Sequence, residues 1–125
     1  METMRKVLYN TAEGKDFYLL LGDFLDAFYR ADNTERQKMI DEPPCEIGLQ
    51  NRVEYLAFAA SAAHKLANDY KLTVPKWVFD KRFYSAKPHF GCGAKGNLRM
   101  LFLYKSPTEF KHRNLFVDEN VLVRV

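Results

Sequence analysis

Cysteines and long apolar stretches are scarce in this chain of 125 residues, and each scarcity excludes a class of protein. Cys45 and Cys92 are the only two cysteines, too few for a disulfide framework, so we expect free thiols in a reducing compartment. No apolar run reaches the length of about 18 residues that a membrane-spanning helix needs, and residues 1–16 lack the apolar core of a signal peptide. The sequence therefore predicts a soluble cytoplasmic protein that is not associated with a membrane.

Signatures of catalysis and metal binding are also weak. Structural zinc sites usually combine two pairs of C-x-x-C or H-x-x-x-H type, whereas this chain has only the mixed pair His89 and Cys92. Cys92, His89 and Asn114 have the residue types of a thiol–imidazole arrangement, but no spacing supports that chemistry. We therefore predict no catalytic residue, no metal and no cofactor, while leaving an enzyme as an open alternative.

Residues 91–96, GCGAKG, match the G-x-G-x-x-G pattern of dinucleotide-binding proteins, and Asp118 follows about twenty residues later. The pattern should follow a buried strand, yet the preceding residues 87–90 include Pro88 and cannot form a central strand. Only seven residues follow Asp118, too few for further parallel strands. The glycines more simply predict a flexible turn that leads into a helix over 97–104.

Charge is present in quantity and is unevenly distributed. Residues 1–63 hold seven Lys and Arg against eleven Asp and Glu, whereas residues 64–113 hold eleven against three. The acidic and basic halves could attract each other within the fold, or the basic half could be a solvated face. Alternatively, the basic half faces an anionic partner, either an acidic protein or a nucleic acid.

Apolar periodicity predicts helices over most of the chain. A helix should begin after the N-cap Asp16 and end near Ala31, and a capping box of Thr34 and Gln37 should open a second, short helix. A long helix over 48–70 is rich in alanine and apolar around most of its circumference, which is typical of a central helix. Within it, His64 is interpreted as a core histidine bonded to a backbone carbonyl.

The last part of the chain carries the sharpest local signals. Pro75 should begin a short helix with Trp77, and residues 80–88 alternate cations such as Arg82 with aromatics, as in proteins that bind nucleic acids. Ser106 and Glu109 form a capping box around Pro107, which predicts a helix start whose Phe110 points inward. Asp118 should cap a final turn, and Arg113 could be its structural partner.

A resemblance to a group of proteins covers roughly the last forty percent of the chain. The matching positions are Val74-Pro75, Trp77, Leu98-Arg99, Leu101, Ser106-Pro107, Phe110, Arg113-Asn114, Phe116-Val117-Asp118, Leu122 and Arg124. This pattern resembles the C-terminal part of uncharacterised bacterial proteins, some with an N-terminal helix-turn-helix and some similar to antitoxin-type partners of a nucleotidyltransferase-like toxin. Residues 1–47 show no clear helix-turn-helix, which does not fit the DNA-binding members. The resemblance implies a small bacterial intracellular protein that binds a partner rather than one that turns over a substrate.

These observations predict one all-α domain over residues 1–125, packed around a central alanine-rich helix, with residues 1–15 as a mobile or irregular arm. The predicted function is a non-enzymatic, antitoxin-like interaction module whose basic C-terminal half binds an acidic protein. The alternative is nucleic-acid binding by the basic and aromatic region over residues 65–113. The oligomeric state is left open. The candidate binding residues are Trp77, Arg82, Arg99, His112, Arg113 and Asn114.

Overall fold

Helices dominate the computed structural model of the chain, which describes residues 1–44, 52–91 and 95–124. The α-helices are α1 (Met4–Ala12), α2 (Phe17–Arg30), α3 (Asn33–Asp41), α4 (Val53–Asp69), α5 (Asn97–Lys105) and α6 (Thr108–Lys111). Two 3-10 helices, Lys76–Phe79 and Lys81–Phe83, follow α4, and the two-residue strands β1 (His89–Phe90) and β2 (Leu115–Phe116) pair in parallel. The predicted all-α class is confirmed.

The central position predicted for the alanine-rich helix is also confirmed. Ten residues of α4 are buried, among them Ala57, Ala59, Ala60, Ala62, Ala63 and Ala67, which are all completely inaccessible to solvent. Small side chains let neighbouring backbones approach closely, so α4 packs against α1, α6, β2 and both 3-10 helices. The predicted start of this helix, at Gly48, lies outside the described residues.

The N-terminal residues are not the irregular arm that the sequence predicted. They form α1, whose first turn is capped by the hydroxyl of Thr3, which accepts a hydrogen bond from Lys6 N at 3.1 Å. Met4, Val7 and Leu8 are at most 2% exposed and pack into the core between α2 and α4. Val7 and Leu8 are spaced three and four positions from Met4, which places these three apolar residues on one face of a helix. Their burial stabilises the helix although most of the neighbouring residues are polar.

The cap predicted for α2 is confirmed, because the carboxylate of Asp16 accepts a hydrogen bond from Leu19 N at 3.1 Å. The helix ends at Arg30, one residue from the predicted end. One of the otherwise unpaired amides of the first turn is thus satisfied by a side chain, as expected for an aspartate N-cap.

The cap predicted for α3 is wrong. Asp32, rather than Thr34, caps the helix by accepting a hydrogen bond from Glu35 N at 2.9 Å. Gln37 completes no capping box. Its amide instead bonds to both the carbonyl and the N–H of Thr73, at 2.9 and 2.8 Å, and so fastens α3 to the segment after α4.

Ser106 also departs from its predicted role as an N-cap. It is 5% exposed, its Oγ lies 2.5 Å from the carbonyl of Phe102 and 2.9 Å from that of Val117, and it accepts a hydrogen bond from Val117 N at 2.8 Å. Pro107 occupies the N-cap position of α6, with no side-chain cap. Ser106 therefore joins the end of α5 to the residue after β2 instead of opening a helix.

The turn predicted before α5 and the last turn of the chain agree with the structure. Gly96 has φ +57°, a conformation that L-residues rarely adopt, and α5 begins at the next residue. Cys92, Gly93 and Ala94 lie outside the described residues, as does Cys45. Near the C-terminus, Asp118 accepts a hydrogen bond from Asn120 N at 2.8 Å in the turn that buries Leu122.

None of the described helices is both long enough and apolar enough to cross a membrane.

Candidate interaction surface

Arg113, predicted to bind a partner, is completely buried and serves the scaffold instead. Its Nη2 donates a hydrogen bond to the carbonyl of Val78 at 2.8 Å, and its Nη1 donates to the carbonyl of Glu109 at 3.0 Å. The guanidinium carbon lies 4.8 Å from the centre of the Tyr84 ring. Arg113 therefore joins α6 to the 3-10 helices that follow α4, and its predicted pairing with Asp118 does not occur.

The charge of Arg113 is surrounded mainly by neutral groups, and the carboxylate of Glu109 acts on it only from a distance. In the described part of the chain, no carboxylate forms an ion pair with it, and its Nε has no hydrogen-bond partner. Burial lowers the pKa of the guanidinium, but an arginine side chain remains protonated in proteins. A buried cation without a counter-ion depends on the carbonyls and the ring around it, so these contacts matter for stability.

His64 also contacts Arg113. This hydrogen-bond partner is a side chain and not the backbone carbonyl that the sequence predicted. Its Nδ1 lies 3.3 Å from Nη1 of Arg113, and its ring meets Phe79 edge-on at 5.1 Å. Because arginine only donates, His64 accepts this bond through an unprotonated nitrogen. Burial, followed by the nearby charge of Arg113, lowers the pKa of His64, which favours that neutral form.

Two further candidate residues are held within the fold. Trp77 is 7% exposed, and its Nε1 donates a hydrogen bond to the carbonyl of Ile40 at 2.8 Å. Asn114 has φ +63°, and its Nδ2 donates to the carbonyl of Ser85 at 2.8 Å. Its own carbonyl accepts a hydrogen bond from His89 N at 2.9 Å, beside the β1–β2 pair. Both side chains therefore act in packing and turn formation.

The other three candidates are exposed, but they lie beside different neighbours. Arg99 on α5 stacks over Phe90 at 4.2 Å, and His112 lies edge-on to Tyr84 at 5.6 Å. Arg82 lies 3.6 Å from the carboxylate of Asp80. The six predicted residues thus do not form one patch. Of this set, Arg99 alone belongs to the surface described next.

The exposed side of α5 is the most unusual surface in the described structure, and sequence reasoning missed it. Eight of its nine residues are exposed, and Phe102 is the one that is buried. The large apolar side chains left in solvent, with their exposed fractions, are Tyr104 (81%), Met100 (60%), Leu101 (46%), Leu103 (45%) and Leu98 (44%). Single exposed apolar residues are ordinary, whereas large exposed apolar patches are typical of interaction sites, so this helix is the candidate site.

The charges around α5 are almost all positive. Residues 95–105 contain Lys95, Arg99 and Lys105 and no acidic residue. Lys105 lies 3.7 Å from Glu119, but both side chains are more than half exposed, so this contact leaves the cation available. We call Leu98, Met100, Leu101, Leu103 and Tyr104, together with Arg99 and Lys105, the α5 surface.

A signal for the α5 surface was present in the sequence. The stretch NLRMLFLYK is apolar at six of nine positions and has no continuous polar face. A helix that is apolar all round is normally buried, so the pattern predicted packing across the core. Within the described residues, Phe102 is the one buried side chain of this helix, and Ser106 at its end bonds to Val117, so most of its circumference is left in solvent.

A separate cavity of about 600 Å³ lies between α2, α4 and the C-terminal turn. Tyr29 lines it and donates a hydrogen bond to the carbonyl of Leu122 at 2.7 Å, and burial raises the pKa of Tyr29 to about 12. Lys65 and Asp69, also in the lining, form an ion pair at 2.8 Å. These polar groups are engaged with each other and with the backbone. Within residues 1–44, 52–91 and 95–124, no group of three His, Cys, Asp or Glu could hold a metal ion.

No protein-family model, curated protein or solved structure matches this chain. The resemblance of its C-terminal part to antitoxin-type proteins therefore stays a prediction, and the interpretation of function depends on the geometry of the α5 surface.

Proposed function

We propose that this chain is a non-enzymatic, antitoxin-like interaction module that binds an acidic protein through the α5 surface. The observation that carries the proposal is the solvent exposure of five large apolar side chains on a helix whose charged residues are all cationic. The scarcity of cysteines favours a partner in the cytoplasm.

The physical basis is the free energy gained when the apolar side chains leave water. Full burial of a side chain such as leucine or methionine contributes roughly 1.5–3 kcal/mol, so several anchors together can offset the entropy lost on association. Tyr104 is the most exposed of the five, and tyrosine is among the residues that most often dominate binding energy. Arg99 and Lys105 at the edges attract carboxylates and raise the rate of encounter with an acidic surface.

The test is affinity purification of the tagged full chain from the cells that express it, in three forms. The wild type should retain an acidic protein, and a double variant with Met100→Ser and Tyr104→Ser should lose it. Leu19→Ser is the matched control, because Leu19 is a leucine on α2 that is 70% exposed and lies outside the α5 surface. Equal recovery of the same proteins with the double variant and the wild type would contradict the proposal.

Nucleic-acid binding is a second candidate function, and one observation favours it. Phe79 is 53% exposed and lies between Lys76 and Lys81, an arrangement that suits base stacking beside phosphates. Binding of this kind should weaken steeply as salt rises, since cations released from the phosphates drive it. Retention on single-stranded DNA that depends on Phe79 and falls with salt would favour this function over the α5 surface.

A further inference from the structure

We infer that α5 is a helical ligand that a different protein encloses in an apolar groove with carboxylates on both edges. This inference depends on the proposed function and specifies the partner: a protein with a groove rather than a flat patch, and not a second copy of this chain.

The apolar residues of α5 surround most of the helix, which is the first argument for a groove. Successive residues are about 100° apart, so Met100 and Tyr104 point roughly 160° away from the buried Phe102. Leu101 and Leu103 point about 100° away from Phe102, on opposite sides of the helix. All four are at least 45% exposed. A flat partner could cover Met100 and Tyr104 but would leave both leucines in water, whereas a groove covers its floor and both walls.

The two cations of α5 lie on opposite flanks, which indicates where the partner is acidic. Arg99 and Lys105 project at about 60° on either side of Phe102, close to the line where α5 meets its own domain. Arg99 is positioned by its stacking on Phe90 at 4.2 Å. If Met100 and Tyr104 contact the floor of a groove, the two edges of that groove lie beside these two cations. Carboxylates on both edges would complete the charge complementarity.

The same charges argue against a second copy as the occupant. In a symmetric dimer the same surface meets itself, and because α5 has no acidic residue, Arg99 and Lys105 would find no carboxylate on the α5 of the second copy. Two convex helices would also leave the flanking leucines partly uncovered. A different protein with an acidic groove avoids both problems.

α5 is already formed and attached before the partner arrives, which favours this binding mode. Phe102 is 5% exposed, and Ser106 lies 2.9 Å from the carbonyl of Val117, so one side of the helix is fixed to the domain. A preformed helix loses less conformational entropy on binding than a segment that folds at that moment. The helix-in-groove mode uses anchors at spacings of three and four residues, as Met100, Leu103 and Tyr104 provide.

The test is photocrosslinking in the native cell, using p-benzoylphenylalanine incorporated in place of one residue at a time in the full chain. The tested positions are those of Met100, Leu101, Leu103 and Tyr104, and Leu19 is the control. We expect all four α5 positions to crosslink to one and the same protein, whose crosslinked segments, mapped by mass spectrometry, are apolar with flanking Asp and Glu. Leu19 should not crosslink to it. Circular dichroism of each purified variant checks that the fold is retained.

The outcomes separate the groove from the proposed function. Crosslinks to an acidic protein at Met100 and Tyr104 only would overturn the groove and leave the proposed function standing. Crosslinks whose mass is that of two copies of this chain would overturn the choice of partner. If the α5 positions yield no product while the Leu19 position does, or if no position yields one, both the groove and the proposed function are wrong.

Discussion

The surroundings of Arg113 and the α5 surface reverse the usual distribution of side chains in opposite ways. Arg113 is a cation with no solvent exposure, whereas Tyr104, Met100 and Leu101 are large apolar side chains in water. The buried cation costs desolvation energy that its carbonyl acceptors offset, and it thereby joins α6 to the 3-10 helix that contains Val78. The exposed apolar residues contribute little to folding and remain available for association. A candidate binding residue is therefore better judged by what it contacts than by its chemical type.

The largest test of this comparison exchanges one aromatic residue in each region for alanine. Phe110→Ala removes a completely buried ring that lies 5.1 Å from the ring of Phe58, and we expect the free energy of unfolding to fall by about 3–5 kcal/mol. Tyr104→Ala should change it by less than about 0.5 kcal/mol, because the side chain is 81% exposed. Urea denaturation followed by circular dichroism measures both.

A large loss of stability in Tyr104→Ala would contradict the comparison, because it would assign the exposed face of α5 to folding. A small loss in Phe110→Ala would show that α6 contributes little to the core.

Arg113→Ala tests whether the buried cation supports the scaffold. The variant leaves the carbonyls of Val78 and Glu109 without their donor, so we expect the free energy of unfolding to fall by about 2–3 kcal/mol. Arg99→Ala is the matched control, because it removes an exposed arginine whose stacking on Phe90 is worth at most about 1 kcal/mol. Equal unfolding midpoints for the two variants in urea would show that the buried Arg113 contributes no more to stability than the exposed Arg99.

Trp77→Phe tests the contrast between buried and exposed candidate residues at a buried side chain that donates one hydrogen bond. The indole N–H donates to the carbonyl of Ile40 at 2.8 Å, and phenylalanine keeps one aromatic ring while removing that donor and the five-membered part of the indole. We expect a loss of about 1–2 kcal/mol in the free energy of unfolding. Phe79→Leu, at an aromatic residue that is 53% exposed in the same 3-10 helix, should change it by less than about 0.5 kcal/mol. If the two variants lose equal stability, Trp77 is not held by its hydrogen bond.

The sequence predicted those features of the fold that depend on local spacing. The alanine stripe of α4 and the cap at Asp16 are properties of neighbouring residues, so they could be read directly. Ser106 was misassigned because a serine before Pro107 fits a cap equally well, and only the tertiary fold brings the carbonyl of Val117 within its reach. The capping box at Thr34 was likewise misassigned, because Asp32, two residues earlier, caps α3.

The candidate site was less predictable, because exposure depends on which elements meet. Arg113 belongs to a run of polar residues, yet the packing of α6 on α4 buries it completely. The apolar pattern of α5 extends around the whole helix, which is typical of a buried helix. The sequence does not indicate that the other elements leave these residues exposed. Arg99 was selected for its charge, and its importance here comes from the apolar residues beside it.

The smallest predicted effect is a pH dependence of stability at His64, where the scaffold contains a neutral base beside a fixed cation. Burial and Arg113 lower the pKa of His64 from its usual 6.5, so the folded chain takes up this proton less readily than the unfolded chain. The free energy of unfolding should therefore be unaffected by His64 above about pH 6.5 and should fall as the pH drops below it, until His64 is protonated in the folded state as well. Glu109 opposes part of this effect, and His112 adds to it.

His64→Gln keeps a polar side chain without a titratable ring, so urea midpoints measured from about pH 7.5 to about pH 5 should fall less for this variant than for the wild type. Parallel pH profiles for the two proteins would contradict the predicted titration of His64, and the stability of the Arg113 site would then depend on its carbonyl acceptors and on the Tyr84 ring rather than on the protonation of His64.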